Sequence, residues 1–181
     1  GAMGIQAYEE LGREGKLNSR FYVMLSDNDD LLKTWFARNP ALGEYDGKLW
    51  IRMIRAYIDG ALGSRGAALL APYSDDPHNT GLLRTTPEHI RELAEQALLH
   101  GYQMGVHAIG DRGNRIVLDA YEAALKAHPT KDPRFRIEHA QILDLAEIPR
   151  FKALGVIPAM QGSHQTSDMY WAKDRLGEER L

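Results

Sequence analysis

Two short β-favouring runs that each end in a histidine constrain this chain more than any other feature. They are Val106-His107-Ala108-Ile109-Gly110-Asp111 and Arg136-Ile137-Glu138-His139-Ala140-Gln141, and their histidines lie 32 residues apart. That is the length of one strand–helix–strand unit. In a parallel sheet this spacing puts both imidazoles at the C-terminal edge of neighbouring strands, where catalytic groups collect in α/β barrels. His107 and His139 are therefore candidates for one metal site, of which this chain holds only a part.

The same alternation extends both ways. Residues 5–15 read as a helix with Ile5, Tyr8 and Leu11 on one face, and 20–25 as an apolar strand. Ser26-Asp27-Asn28-Asp29 supplies turn and N-cap chemistry for a helix over 30–38. Residues 49–58 form the longest strand, ending at Asp59-Gly60. The loop 61–85, rich in Gly, Pro, Ser and Asp, is of a length that is often functional. Thr86-Pro87-Glu88 starts a helix that Gly101 closes, and a strand follows over 102–109. The helix 112–127 turns Ile116, Val117, Ala120, Tyr121, Ala124 and Leu125 inward. A strand at 135–140, a short helix at 145–154, a strand at 155–160 and a helix at 168–180 complete the order.

Apolar strands alternating with helices imply an α/β fold, a parallel sheet covered by helices. About five strands fit either a doubly wound sheet or five-eighths of a TIM (β/α)8 barrel. No glycine-rich phosphate loop follows any strand, so nucleotide binding has no support. A net charge of −3 gives no reason to expect nucleic acid or an anionic membrane surface. No apolar run approaches the roughly 18 residues of a membrane span. The composition fits a soluble chain, leaves an exported or cytosolic address open, and leans only slightly to the cytoplasm. The absence of cysteine excludes disulfides and thiolate chemistry. Gly1-Ala2-Met3-Gly4 reads as the scar of a cleaved tag, which makes 5–181 the domain.

Several blocks resemble the amidohydrolase superfamily, in particular amidohydrolase family 3, metal-dependent hydrolases with a TIM-barrel fold. They are Asp59-Gly60-Ala61-Leu62-Gly63-Ser64-Arg65-Gly66-Ala67-Ala68-Leu69-Leu70, Pro72-Tyr73-Ser74-Asp75, the two histidine blocks with Arg112, and Leu154-Gly155-Val156-Ile157. Met160-Gln161, His164, Ser167-Asp168-Met169, Trp171-Ala172 and Arg175-Leu176-Gly177 continue the match in the right order. The resemblance implies a partial barrel, the centre of a longer one. It implies hydrolysis of an amide, carbamate or cyclic amide, with a divalent metal, zinc by preference, activating water. His107 and His139 match two of the family's ligands. The His-x-His pair and the last-strand aspartate have no counterpart here, so the isolated chain is expected to be inactive. The family's bridging lysine falls on Arg55, and a guanidinium cannot form a carbamate.

The remaining candidates each have a plainer reading. Asp111 is a candidate catalytic residue and equally a helix N-cap. His164 is a candidate for stabilising developing negative charge, or a solvated loop residue. Asp59, Arg65 and Tyr73 are candidates for substrate contact beneath a flap formed by 61–85, with Asp75 beside them, or parts of a structural cover. Glu138 is expected on the strand face opposite His139, paired with Arg136 or Arg134. His78, His89, His100 and His128 read as surface residues. The partner implied is a small-molecule substrate. A second reading is a non-catalytic folding or binding unit that self-associates through open strand edges.

Overall fold

The computed structural model describes residues 2–181, and its centre is one sheet. The strands are β1 (Phe21–Ser26), β2 (Ala41–Gly43), β3 (Leu49–Tyr57), β4 (Gln103–Ala108), β5 (Arg136–His139) and β6 (Ile157–Ala159). Their order is β1-β3-β4-β5-β6, all parallel, with β2 added antiparallel to β3. The helices are α1 (Ala2–Arg13), α2 (Asp29–Phe36), α3 (Glu44–Gly47), α4 (Pro87–Leu99), α5 (Asp111–Ala127), α6 (Ile148–Leu154), α7 (Ser163–Ser167) and α8 (Ala172–Leu176). The β/α alternation is thus the partial-barrel arrangement expected of the sequence.

Local chemistry explains the element ends. Asn28 caps α2 by accepting from the Leu31 N–H, and Thr86 caps α4 by accepting from the His89 N–H. Pro87 fills the first position of α4, where no N–H is needed. Gly101, at φ +74°, turns the chain out of α4 toward β4. The core lies between the sheet and these helices. Ile54, Ala56 and Ile58 of β3 and its exit meet Met104, Val106 and Ala108 of β4, all fully enclosed. Ile90, Leu93, Ala94 and Ala97 of α4 and Val117, Leu118, Tyr121 and Ala124 of α5 close over them. Each large aliphatic side chain buried there contributes about 1.5–3 kcal/mol.

The opposite face of the sheet is different in kind. In register across β3, β4 and β5 run Arg55, Gly105 and Arg136, then Tyr57, His107 and Glu138. On β1, Tyr22 and Met24 remain exposed. This face carries charge and open apolar surface together.

Two sequence expectations need correction. The expected helix over 168–180 is reduced to α8 and a 3₁₀ turn (Glu178–Arg180), because Trp171 leaves helical geometry and Gly177 takes φ +73°; α7 precedes that range. The helix expected from 145 begins at Ile148, after an Asp144 side-chain turn onto the Ala146 N–H. β2 had no periodic signal, being three residues long, and α3 is a left-handed turn at Tyr45 and Asp46. Ala2–Gly4, read as a tag remnant, continues α1.

Candidate functional site

The structure brings the two histidines together. Their ring centroids are 4.6 Å apart, edge to face, above the ends of β4 and β5. His107 reaches that point by ordinary strand geometry, paired with Tyr57 on β3 and Glu138 on β5. His139 does not. Its φ is +78° and that of Ala140 is +43°, left-handed values that no glycine relieves. Such residues cost about 1–3 kcal/mol each and persist where the surroundings force them. The departure breaks strand alternation at its last residue. Glu138, expected on the face opposite the histidine site, instead shares the face of His107, bonded by Arg136 as expected, and the His139 ring meets His107 as well.

His107 is almost enclosed, at 9% exposure. Its Nε2 lies 3.4 Å from the Gly60 carbonyl oxygen and 3.4 Å from Asp59 Oδ1. Both neighbours accept, so Nε2 carries the proton and Nδ1 keeps a lone pair with no partner among the described residues. His139 is the mirror case. Its Nδ1 donates to Gln161 Oε1 at 2.8 Å, and Nε2 is left unpartnered. Burial first, then the nearby His107 and Arg55, hold the His139 pKa below the ordinary imidazole value, against the opposing bond to Gln161. The ring thus stays neutral, the form that binds a cation.

Asp59 is enclosed beneath the loop that follows it. Its carboxylate accepts from the backbone N–H of Ala68 (2.9 Å), Ile109 (3.0 Å) and Gly110 (2.8 Å), besides facing His107. Read from the sequence as a substrate contact, it is instead the post to which the loop and the β4 exit are tied, and no part of it reaches solvent. Two glycines leave room for this. A Cβ on Gly110 would come within 1.9 Å of the Ala68 carbonyl oxygen, and one on Gly113 within 2.7 Å of Asp59 Oδ2. Asp111 is the first residue of α5, with Gly110 at the N-cap. Its Oδ1 accepts from Leu70 N–H at 2.8 Å, so its carboxylate also holds the loop.

The loop 61–85 has a small core of its own in Leu62, Ala67, Leu69 and Tyr73, joined by Ile109 and Leu176. Tyr73 is 1% exposed and donates to the Ala67 carbonyl oxygen at 2.8 Å. Burial pushes its pKa up to about 12. Tyr73 faces the interior of the loop, and a substrate would meet it only if the loop opened. Arg65 makes a two-pronged bond to Asp75 at 3.0 and 2.9 Å, and Arg175 joins the same carboxylate. The Arg65 guanidinium holds the Asp75 carboxyl below its usual range. Arg65 thus clips the loop rather than lying free.

His164, on α7, has its ring centroid 5.9 Å from that of His139. Asp168 Oδ2 faces its Nδ1 and Gln161 Oε1 its Nε2, each at 3.2 Å. Oxygen acceptors thus face both nitrogens, which suits a hydrogen bonder better than a third ligand. Among the described residues no group of three or more His, Cys, Asp or Glu is placed to hold a metal ion. Beside His164 opens a groove of about 690 Å³, lined by Ile142, Leu145, Met169 and Leu176 among others.

Sequence reasoning missed Gln161 as the partner of His139, and Asn114, a fully buried side chain. Asn114 Nδ2 donates to the Gly110 and Ile142 carbonyl oxygens at 2.9 and 3.2 Å, fastening the β4 exit to the β5 exit. A polar residue on the inward side of α5 was the available signal.

The amidohydrolase family model matches residues 2–181. LONG AFTER FAR-RED 3 of Arabidopsis thaliana is 32% identical over 97% of this chain and 30% of its own length. YtcJ of Bacillus subtilis (strain 168) is 33% identical over 98% of this chain and 32% of its own. Crystal structures of uncharacterized metal-dependent hydrolases from Pyrococcus furiosus and Pyrococcus horikoshii OT3 superpose with TM-scores of 0.85 and 0.85, at 34% and 32% identity. Each superposition covers 97% of this chain and 35% or 34% of the other. The chain thus spans about a third of the length of the relatives it matches.

Proposed function

This chain belongs to the amidohydrolase family, and on that premise we propose that it is the central part of a metal-dependent hydrolase acting on a C–N bond in an amide, carbamate or cyclic amide. The observation that carries this reading is the histidine pair. Two imidazole rings stand 4.6 Å apart. Each has one nitrogen fixed by an oxygen acceptor and the other unpartnered. Such a hydrogen bond on one nitrogen sets the tautomer and orientation of a metal-ligating histidine. His107 would offer Nδ1 and His139 Nε2 to a divalent ion, zinc by preference. Two ligands fall short of the three usual at a catalytic zinc, so the rest must come from other parts of the longer protein. When bound, the ion supplies a low-pKa water and polarises the scissile carbonyl.

The chain's own residues do the positioning. Asp59 and the Gly60 carbonyl hold His107; Gln161 holds His139. For His164 to donate to a developing oxyanion, its ring would first have to leave Asp168 or Gln161. Asp111, Arg65 and Tyr73 act on a substrate through the loop they fasten. The isolated chain is expected to hydrolyse nothing.

The test is zinc titration of the isotopically labelled chain, followed through the imidazole ¹⁵N signals. Large shifts confined to His107 Nδ1 and His139 Nε2 are expected. Zinc that leaves both rings unmoved overturns the assignment, and robust hydrolysis by this chain alone overturns the shared-site reading. A folding unit that self-associates through β1 and β6 is the second reading, favoured by the exposed Tyr22 and Met24. A concentration-independent monomer mass by light scattering would reject it.

A further inference from the structure

The charged face of the sheet holds two guanidinium groups that the protein leaves short of a partner. Arg55 is partly buried, with 18% of its side chain exposed, and its nearest carboxylate oxygen is Glu138 Oε2 at 4.0 Å. Glu138 is already engaged in a two-pronged bond from Arg136, at 2.7 and 3.3 Å. Arg84 has no carboxylate within ion-pair distance among the described residues. Its backbone N–H, donated to the Ile58 carbonyl oxygen at 2.9 Å, fixes it at the β3 exit. Both groups converge on one ring. The Arg55 guanidinium carbon lies 4.8 Å from the Tyr57 ring centroid and that of Arg84 5.5 Å. Tyr57 is 44% exposed, and its ring centroid is 5.3 Å from that of His107.

Arg55 is the partly buried cation without a close counter-charge, which is costly, and an anion placed there restores the balance; Arg84, exposed, adds a second fork. Each guanidinium fork beside this ring matches the flat, two-oxygen shape of a carboxylate. Arg55 also adds its positive charge to the surroundings of His139. We propose that Arg55 and Arg84 form a carboxylate-binding subsite beside the histidine pair, so that the substrate is anionic. Its carboxylate lies over Tyr57 while its reacting group reaches His107 and His139. The substrate assignment rests on the hydrolase reading; the anion site itself does not.

Benzoate and benzamide have the same shape and differ in charge, which makes them the probes. The labelled chain is titrated with each, and the arginine Nε–H signals are followed. Benzoate is expected to shift Arg55 and Arg84 saturably, and benzamide to leave them unmoved. Arg55→Gln and Arg84→Gln should each weaken benzoate binding about tenfold or more, and Arg134→Gln, at an exposed residue paired with Asp132, should not change it. Equal binding of the two probes overturns the proposal, as does unchanged affinity in both variants. If Arg55→Gln perturbs folding, the exposed Arg84→Gln and the charge-conserving Arg55→Lys carry the test; Arg55→Lys should bind benzoate more weakly than the native chain. Zinc separates the two readings. Benzoate binding with no zinc effect on the histidine rings keeps the anion site and removes the hydrolase assignment, whereas zinc binding without benzoate binding removes the anion site alone.

Discussion

The two halves of the candidate site are built by opposite means. At the ends of β3 and β4, an enclosed carboxylate, Asp59, collects three backbone N–H groups from two separate segments and faces His107. At the ends of β5 and β6, His139 is held by one amide side chain, Gln161, which His164 also approaches. Backbone donors cannot rotate away, and the Asp59 bonds lie out of water, where they are strongest. Side-chain bonds in a partly exposed segment loosen readily. The comparison teaches that His107 is a fixed reference and His139 an adjustable one. On the proposed reading, His107 would define the position of an ion and His139 would adjust to its remaining ligands.

The largest test of this contrast removes the post. Asp59→Ala leaves three buried N–H groups without acceptors, each costing about 1–3 kcal/mol. A loss of roughly 4 kcal/mol or more in urea unfolding is expected, with the loop 61–85 released. His139→Ala, by contrast, should change stability by less than about 1 kcal/mol, since it removes one side-chain hydrogen bond in a partly exposed segment and leaves the left-handed backbone as it was. Similar losses in the two variants would break the comparison. Gly110→Ala attacks the same half through backbone crowding, its Cβ meeting the Ala68 carbonyl oxygen at 1.9 Å. About 3 kcal/mol is expected from such overpacking, and hydrogen exchange should show it as faster exchange at Ala68, Ile109 and Gly110 rather than in β1.

How much of this could be read in the chain differs between the halves. The parallel strands, the helices α4 and α5, and the convergence of His107 with His139 were legible, because periodicity and unit length carry them; the three-residue β2 was not. The role of Asp59 was not. Its acceptors' partners lie 9, 50 and 51 residues away, and an aspartate before a glycine-rich loop looks locally like a residue facing out. Tyr73 was misplaced for the same reason: a small core inside a loop has no period. The geometry at His139 was hidden because histidine gives no signal for a left-handed backbone. The fragmentation of 168–180 was hidden because Ala172-Lys173-Asp174-Arg175-Leu176 has ordinary helical character until Gly177 ends it.

A smaller change sharpens the contrast inside the loop. Tyr73→Phe removes the bond to the Ala67 carbonyl oxygen and leaves an enclosed acceptor, costing about 1 kcal/mol. The loop's apolar contacts survive, so the local opening measured by hydrogen exchange at Leu69 and Tyr73 should rise about fivefold, while global unfolding barely moves. An equal rise at Asp59-tied amides would mean that the loop and the post act as one unit.

The smallest effect is expected at His139 itself, and it is a matter of sign. Its folded pKa lies below the ordinary value of 6.5, first through burial and then through the charge it would share with His107 and Arg55. The unfolded chain therefore takes up a proton at a higher pH than the folded one. Stability from this group is complete above pH 6.5 and is lost as pH falls through the window between 6.5 and the folded pKa. Titration of its Cε1–H signal should show a midpoint below 6.5, and Gln161→Ala should lower that midpoint further, because the bond it removes favours the charged ring. The same variant leaves His139 free to turn, so zinc affinity should fall by about 10-fold or more with almost no change in unfolding. A midpoint that rises in Gln161→Ala would mean that the glutamine presents its amide nitrogen to the ring. His139 would then be held through its lone pair, and the adjustable half of the site would offer the wrong nitrogen to a metal.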